Sequence, residues 1–337
     1  MTSPATIAGL VARLRQGDTR ALARAISLVE NDAPEAPALL SACFPHTGPA
    51  TGAPVKPPRW GGALRIGITG APGAGKSTLA DRLAQQFRHA DRTVGLLAVD
   101  PTSPFTGGAL LGDRIRLREH ASDPGFYARS MATRGSLGGL ALATADAALV
   151  LEASGKDVLL IETVGVGQDE VEIARLADIT LVVLVPGMGD DVQSLKAGVM
   201  EIADIFVVNK ADREGADRVE QEIRGLQSLA SEHPDRTPPI VRTIAASGEG
   251  IDTLTAAIRE MEQWLHTENR LARRRTQHWQ RRLEAMLRTE LMRRARQNGF
   301  DTKLLHFHAA RIASGQQDPW QLVAQLSEKV FSPGNPT

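Results

Sequence analysis

A single cysteine, Cys43, stands in 337 residues. That excludes an internal disulfide and any multi-cysteine metal site within one chain, and it suits a reducing compartment. Net charge is missing too: 39 basic residues face 39 acidic ones, so nothing global attracts nucleic acid. No apolar run approaches the roughly 20 residues needed to cross a bilayer. The opening MTSPATIAGLVARLRQGD lacks the basic stretch and apolar core of a secretory signal. The expectation is a cytoplasmic protein with no nucleic-acid or membrane partner.

What the chain does contain falls into regions of different texture. Residues 1–45 place Ile7, Leu10, Leu14, Leu22, Ile26 and Leu28 at helical spacing, interrupted at Gly17 and Asp18. This predicts two short helices, the second capped by Asp18. Residues 46–62, around HTGPATGAPVKPPRW, are rich in Pro and Gly and read as a linker. From 63 to 264, short apolar runs alternate with helical stretches. LRIGITG, TVGLLAVD, VLLIETV, ITLVVLVP, IADIFVVNK and PIVRTIAA are continuously apolar, as strands buried on both faces are. The expected fold is α/β, with a doubly wound, mostly parallel sheet. Residues 265–337 read as a charged helical arm, with Trp279, Leu283, Met286, Leu287 and Leu291 on one face and a role in oligomerisation.

The sharpest local feature is the run IGITGAPGAGKST at 66–78. Gly70, Ala71, Pro72, Gly73, Ala74, Gly75, Lys76 and Ser77 fit G-x-x-x-x-G-K-[ST], followed by Thr78 and a helical run, which is the context of a phosphate-binding loop. Glycines let backbone amides turn inward around phosphate oxygens. The helix start behind them adds partial positive charge. Lys76 is placed to reach the β- and γ-phosphates, and Ser77 to ligate Mg²⁺.

Base choice is written in Asn209-Lys210-Ala211-Asp212. The Asp212 carboxylate can accept from guanine N1–H and the 2-amino group together, a pair of donors adenine lacks. Lys210 can lay its stem along the base, and Asn209 can tie the segment back to the phosphate loop. A second base-contacting loop is expected at Ala245-Ala246-Ser247. For the metal, Glu162 ends a buried strand in VLLIETVGVGQDE, and Asp100 and Asp113 supply further hard oxygens. Gly165 is a candidate sensor of the γ-phosphate, and Gln168 a candidate to orient the attacking water. Gly187 and Gly189, near a strand end, indicate a flexible loop.

Taken in order, GAPGAGKST, VDPTSPFTGGALLGDRIR, RGSLGGLA, ETVGVGQDEVEIARLAD, PGMGDDVQSLKAG and NKAD resemble the MeaB/ArgK-type GTPases, related to the methylmalonic aciduria type A protein. The resemblance runs from about residue 20 to 330. It implies a slow GTPase, binding GTP or GDP with Mg²⁺, that docks on an adenosylcobalamin-dependent acyl-CoA mutase (methylmalonyl-CoA mutase or a relative), gates cofactor delivery and guards the enzyme. It also implies a helical amino-terminal extension and a carboxyl-terminal dimerisation arm, hence a homodimer. Asp100, Asp113 and Glu162 fall at its metal and switch positions, and Asp190 and Lys196 in its mobile segment. Arg129, Met131 and Arg134 depart from the pattern of some relatives, which points to a different partner mutase.

Two rivals share the fold. A small-molecule P-loop kinase has no need of a guanine tetrad. A nickel-delivery GTPase usually carries histidine-rich or cysteine storage motifs, whereas here the eight histidines are scattered and His306 and His308 are the closest pair.

Overall fold

The computed structural model describes residues 4–44, 62–100, 123–132, 139–163, 176–187, 202–229, 236–297, 300 and 302–331. Among them, seven strands form one sheet in the order β3-β2-β4-β1-β5-β6-β7. They are β1 Leu64–Gly70, β2 Val94–Asp100, β3 Phe126–Ala132, β4 Val158–Thr163, β5 Ile179–Leu184, β6 Ile205–Asn209 and β7 Ile240–Thr243. Every pairing is parallel. β4, β5 and β6 are buried along their whole length, because helices cover both faces of the sheet.

On one face lie α4 (Lys76–His89) and the helix Ile251–His266. Leu79, Leu83, Phe87, Leu254 and Ile258 pack there against Ile66, Ile68 and Leu181. On the other, α1 (Pro4–Arg15), α2 (Thr19–Glu30), α3 (Ala36–Cys43) and the helix Gly139–Ala153 bury Leu14, Ile26, Leu39 and Val150 against Leu97, Val99, Leu159 and Ile161. The amino-terminal helices are thus part of this core, each fully buried Leu or Ile contributing about 1.5–3 kcal/mol. The helix Ala216–Leu229 closes a third cluster around Phe206 and Val208.

Asp18 caps α2 as expected, accepting from the backbone of Arg20 at 2.9 Å and Ala21 at 3.0 Å. Leu28 is only half-buried. Two elements exceed the sequence reading: helix α3, and strand β3 at the sheet edge. β3 also carries Arg129 and Met131, which the sequence reading offered as marks of a different partner mutase. Met131 is buried in the core, and Arg129 is ion-paired with the buried Glu30 and donates to Ser27 Oγ at 3.2 Å. Both fasten the edge strand to its own chain. Arg134 lies outside the described residues.

The chain divides into two compact units, residues 1–278 and 279–337. In the second, Leu283, Met286, Leu287, Leu305, Phe307 and Val323 are exposed, and Trp320 is 81% exposed. His308 is engaged locally there, its Nδ1 lying 2.8 Å from Gln317 Oε1.

Candidate nucleotide site

β1 delivers the chain into the glycine-rich loop, and α4 leads it away. Gly70 has φ +141, and a Cβ there would lie 2.1 Å from the Val183 carbonyl oxygen of the neighbouring strand. Gly75, the residue before α4, has φ +87, and a Cβ would come within 2.5 Å of Asn209 Nδ2. Only glycine satisfies both demands, the left-handed backbone and the close approach. Pro72 and Gly73 are exposed, Ala74 is buried, and Thr78 is half-buried in the first turn of α4. Lys76 is 5% exposed. Its ammonium donates to the carbonyls of Gly70 at 2.6 Å and Ala71 at 2.8 Å, which holds a positive charge over the loop. A lysine beside amides at a helix start is an anion site.

Next to it, Ser77 Oγ donates to Glu162 Oε1 at 2.6 Å. Glu162 stands near the carboxyl end of β4, opposite Ile68 in register. A hydroxyl and a carboxylate side by side at the edge of a phosphate loop fit Mg²⁺, which takes hard oxygens and keeps several waters. Asp100 closes β2, one residue past the Val99–Thr163 pair, so its backbone reaches the same sheet edge. Asp113, Gly165, Gln168, Asp190 and Lys196 lie outside the described residues.

The tetrad is bonded directly to the phosphate loop. Asn209, buried at the end of β6, donates from Nδ2 to the Ala74 carbonyl at 2.8 Å. Its Oδ1 accepts from Thr243 Oγ1 and from the Ala245 amide, each at 3.1 Å. One amide side chain therefore joins the phosphate loop, β7 and the loop that follows. Lys210 takes φ +55 and donates from Nζ to the Gly73 carbonyl at 2.6 Å. Asp212 is exposed, and no described residue pairs with its carboxylate. Beyond β7, Ala245 is buried while Ala246 and Ser247 are exposed. Ser247 Oγ donates back to Ile244 O at 3.2 Å.

One participant escapes sequence reading. Arg82, on α4, donates from Nε to Ala245 O at 3.1 Å and from Nη2 to Ala246 O at 2.9 Å. An arginine inside a polar helical stretch carries no local sign of such a reach.

A parallel sheet with a glycine-rich phosphate loop at β1 and an N-K-x-D segment at β6 defines a P-loop GTPase. The family described as "Methylmalonyl Co-A mutase-associated GTPase MeaB" matches residues 22–299, and the chain belongs to that family. A Pyrococcus horikoshii relative is 51% identical over 269 residues, covering 79% of this chain and 81% of its own. The GTPase ArgK of Escherichia coli K12 is 36% identical over 285 residues, 82% of each chain. Among solved structures, one titled as an LAO/AO transport system kinase is similar, with a TM-score of 0.67 and 27% identity over 98% of this chain and 100% of that one. The chain is a GTPase. Among its described residues, no helix is long and apolar enough to cross a membrane.

Proposed function

We propose that this GTPase is a cytoplasmic chaperone of an adenosylcobalamin-dependent acyl-CoA mutase, docking on that enzyme to gate cofactor delivery and to protect it. Membership of a family described as mutase-associated supports the partner. The observation that carries the guanine assignment is the direct bonding of Asn209 and Lys210 to the carbonyls of Ala74 and Gly73. It sets the base-reading segment at a fixed distance from the phosphate loop.

In this reading the amides of residues 70–78 and the Lys76 ammonium hold the triphosphate, and Lys76 stabilises charge that grows on the transferring phosphoryl group. Ser77, Glu162, Asp100 and Asp113 would hold Mg²⁺, which when bound neutralises β- and γ-phosphate oxygens. Glu162 acts directly or through a water, and Gln168 orients the attacking water less directly than Lys76 acts. Asp212 reads guanine N1–H and the 2-amino group, with Ala245, Ala246 and Ser247 on the other side of the base. Segments 100–118, 162–170 and 186–198 are the switches, and a loop held by the γ-phosphate is released on hydrolysis. The exposed apolar residues of the second unit, Leu283 and Trp320 among them, support a homodimer formed through that arm. The similar solved structure is described as a kinase; an N-K-x-D segment bonded to the phosphate loop favours guanine binding in this chain.

The test is GTP hydrolysis and nucleotide affinity with and without the mutase, for the parent chain and for Lys196→Ala. Reciprocal coupling of about 1–3 kcal/mol is expected between mutase and nucleotide, weakened in Lys196→Ala. A mutase that alters neither quantity in the parent chain rules out the chaperone role for that partner.

A further inference from the structure

Of the three amides of Ala245, Ala246 and Ser247 in the loop after β7, two are already given away. The Ala245 N–H goes to Asn209 Oδ1 at 3.1 Å, and the Ser247 N–H to Ile244 O at 3.1 Å. The amide of Ala246, an exposed residue, has no partner among the described residues. Its direction is set from behind. In a trans peptide the C=O and N–H point opposite ways, and no described peptide is cis. Arg82 Nε takes the Ala245 carbonyl at 3.1 Å, so the Ala246 N–H of the same peptide plane is turned away from α4. Arg82 Nη2 takes the next carbonyl, that of Ala246, at 2.9 Å. Two successive peptide planes are thus pinned by one guanidinium. A planar fork of donors suits this, where a lysine supplies only a point charge.

We propose that Arg82 is a positioning residue for base selection: it fixes the Ala245–Ala246 peptide so that the Ala246 amide is presented to the 6-oxo group of the purine. This rests on the guanine reading above. A 6-oxo group accepts from an amide, whereas the 6-amino group of adenine brings a second donor to the same place. A preorganised donor discriminates because no ordering is needed when the base arrives. The arrangement also links the two ends of the ligand, since Arg82 lies on the helix that begins at Lys76. A neighbouring tie on α4, Gln86 Nε2 to Asp252 Oδ1 at 2.8 Å, docks the same helix without touching the loop and provides the control.

The experiment measures dissociation constants of the full chain, its Arg82→Ala variant and its Gln86→Ala variant for GTP, 6-thio-GTP, ITP and ATP, with kcat and KM for GTP. 6-Thio-GTP keeps N1–H and the 2-amino group but carries a weaker acceptor at position 6, and ITP lacks only the 2-amino group. The parent chain is expected to prefer GTP over 6-thio-GTP. Arg82→Ala should weaken GTP binding about 5- to 10-fold, as expected for one lost or misaligned hydrogen bond. The loss should fall on KM more than on kcat and narrow the GTP to 6-thio-GTP ratio, while leaving the GTP to ITP ratio at its parental value. Gln86→Ala should keep both ratios. A ratio of dissociation constants does not depend on how much of a variant is folded, so partial misfolding leaves the reading intact. An unchanged GTP to 6-thio-GTP ratio in Arg82→Ala, an equal narrowing in Gln86→Ala, or no 6-thio discrimination by the parent overturns the Arg82 proposal alone. A parent chain that binds ATP as well as GTP overturns the guanine reading, and this proposal with it.

Discussion

Arg275 grips Asp178 with one edge of its guanidinium, Nε and Nη2 donating to the two carboxylate oxygens at 2.9 and 2.6 Å, although Asp178 is wholly buried. The same carboxylate accepts the Arg65 amide of β1 at 3.0 Å. One strand over, Asp204 repeats the device, accepting from the Thr180 amide at 2.8 Å and from Arg274 at 2.8 and 2.9 Å. Each aspartate stands just before its strand in a matching stretch, LADITLVV and IADIFVV. The segment around Arg274 and Arg275, within the first unit, is thereby fixed to the amino-terminal edge of the sheet.

Removing one partner of such a pair leaves a buried carboxylate uncompensated. Arg275→Ala should therefore lower unfolding free energy by about 3–5 kcal/mol, read from urea midpoints. The double variant Arg275→Met with Asp178→Asn should recover part of that loss, because no unpaired charge remains. If the double variant is as unstable as the sum of its parts, the loss comes from packing rather than from the charge.

Gly75 and Gly155 share a left-handed backbone, φ +87 and +85, but differ in their surroundings. A Cβ on Gly155 meets nothing within 4 Å, while one on Gly75 strikes Asn209 Nδ2. Both Gly→Ala changes should weaken the fold by about 1–3 kcal/mol through backbone strain. Only Gly75→Ala should also weaken GTP binding, because it pushes Asn209 off the Ala74 carbonyl. Equal GTP affinity in the two variants, measured by titration calorimetry, would contradict the link between Asn209 and the phosphate loop.

The guanine reading predicts a change of base preference. Asp212→Asn should weaken GTP by about 1–3 kcal/mol, the consequence of leaving a polar partner unmatched. It should at the same time favour xanthosine triphosphate, whose 2-oxo group suits the new amide donor. A variant that loses GTP and xanthosine triphosphate alike places Asp212 in the fold rather than against the base.

Much of this was legible in the sequence, for a physical reason. Strands such as VLLIET and IFVVN are buried on both faces and announce themselves as unbroken apolar runs. The phosphate loop is likewise local, since a glycine turn, a lysine and a helix start all lie within a dozen residues. β3 was not legible because an edge strand has only one neighbour and tolerates Arg129 and Ser130 in its middle. Arg82 was hidden differently: its partners lie 163 and 164 residues away, and nothing in the chain near Arg82 records that approach. Asn209 falls between these cases. The tetrad suggests its tie to the phosphate loop, but its three hydrogen bonds emerge only when β6 and β7 stand side by side.

At the amino-terminal edge of the sheet, burial pushes the Lys156 ammonium down to about 8, helped by Arg88 and opposed by Asp123 and Asp157. Its Nζ donates to the Gly125 carbonyl at 3.0 Å, while Asp123 is held by Arg88 at 2.7 and 3.0 Å and Asp157 by Thr93. Between about 8 and the ordinary lysine value near 10.4, the unfolded chain keeps a proton the folded chain has shed, so this group makes stability rise with pH across that window. Below it, both states are protonated and the penalty of burying the charge is fully present. Lys156→Met removes the penalty, so its unfolding free energy relative to the parent should be most favourable near pH 7 and fall as the pH approaches 10. Urea midpoints of both chains across that range test the point, and a difference that stays constant with pH would show that Lys156 titrates as an exposed lysine does.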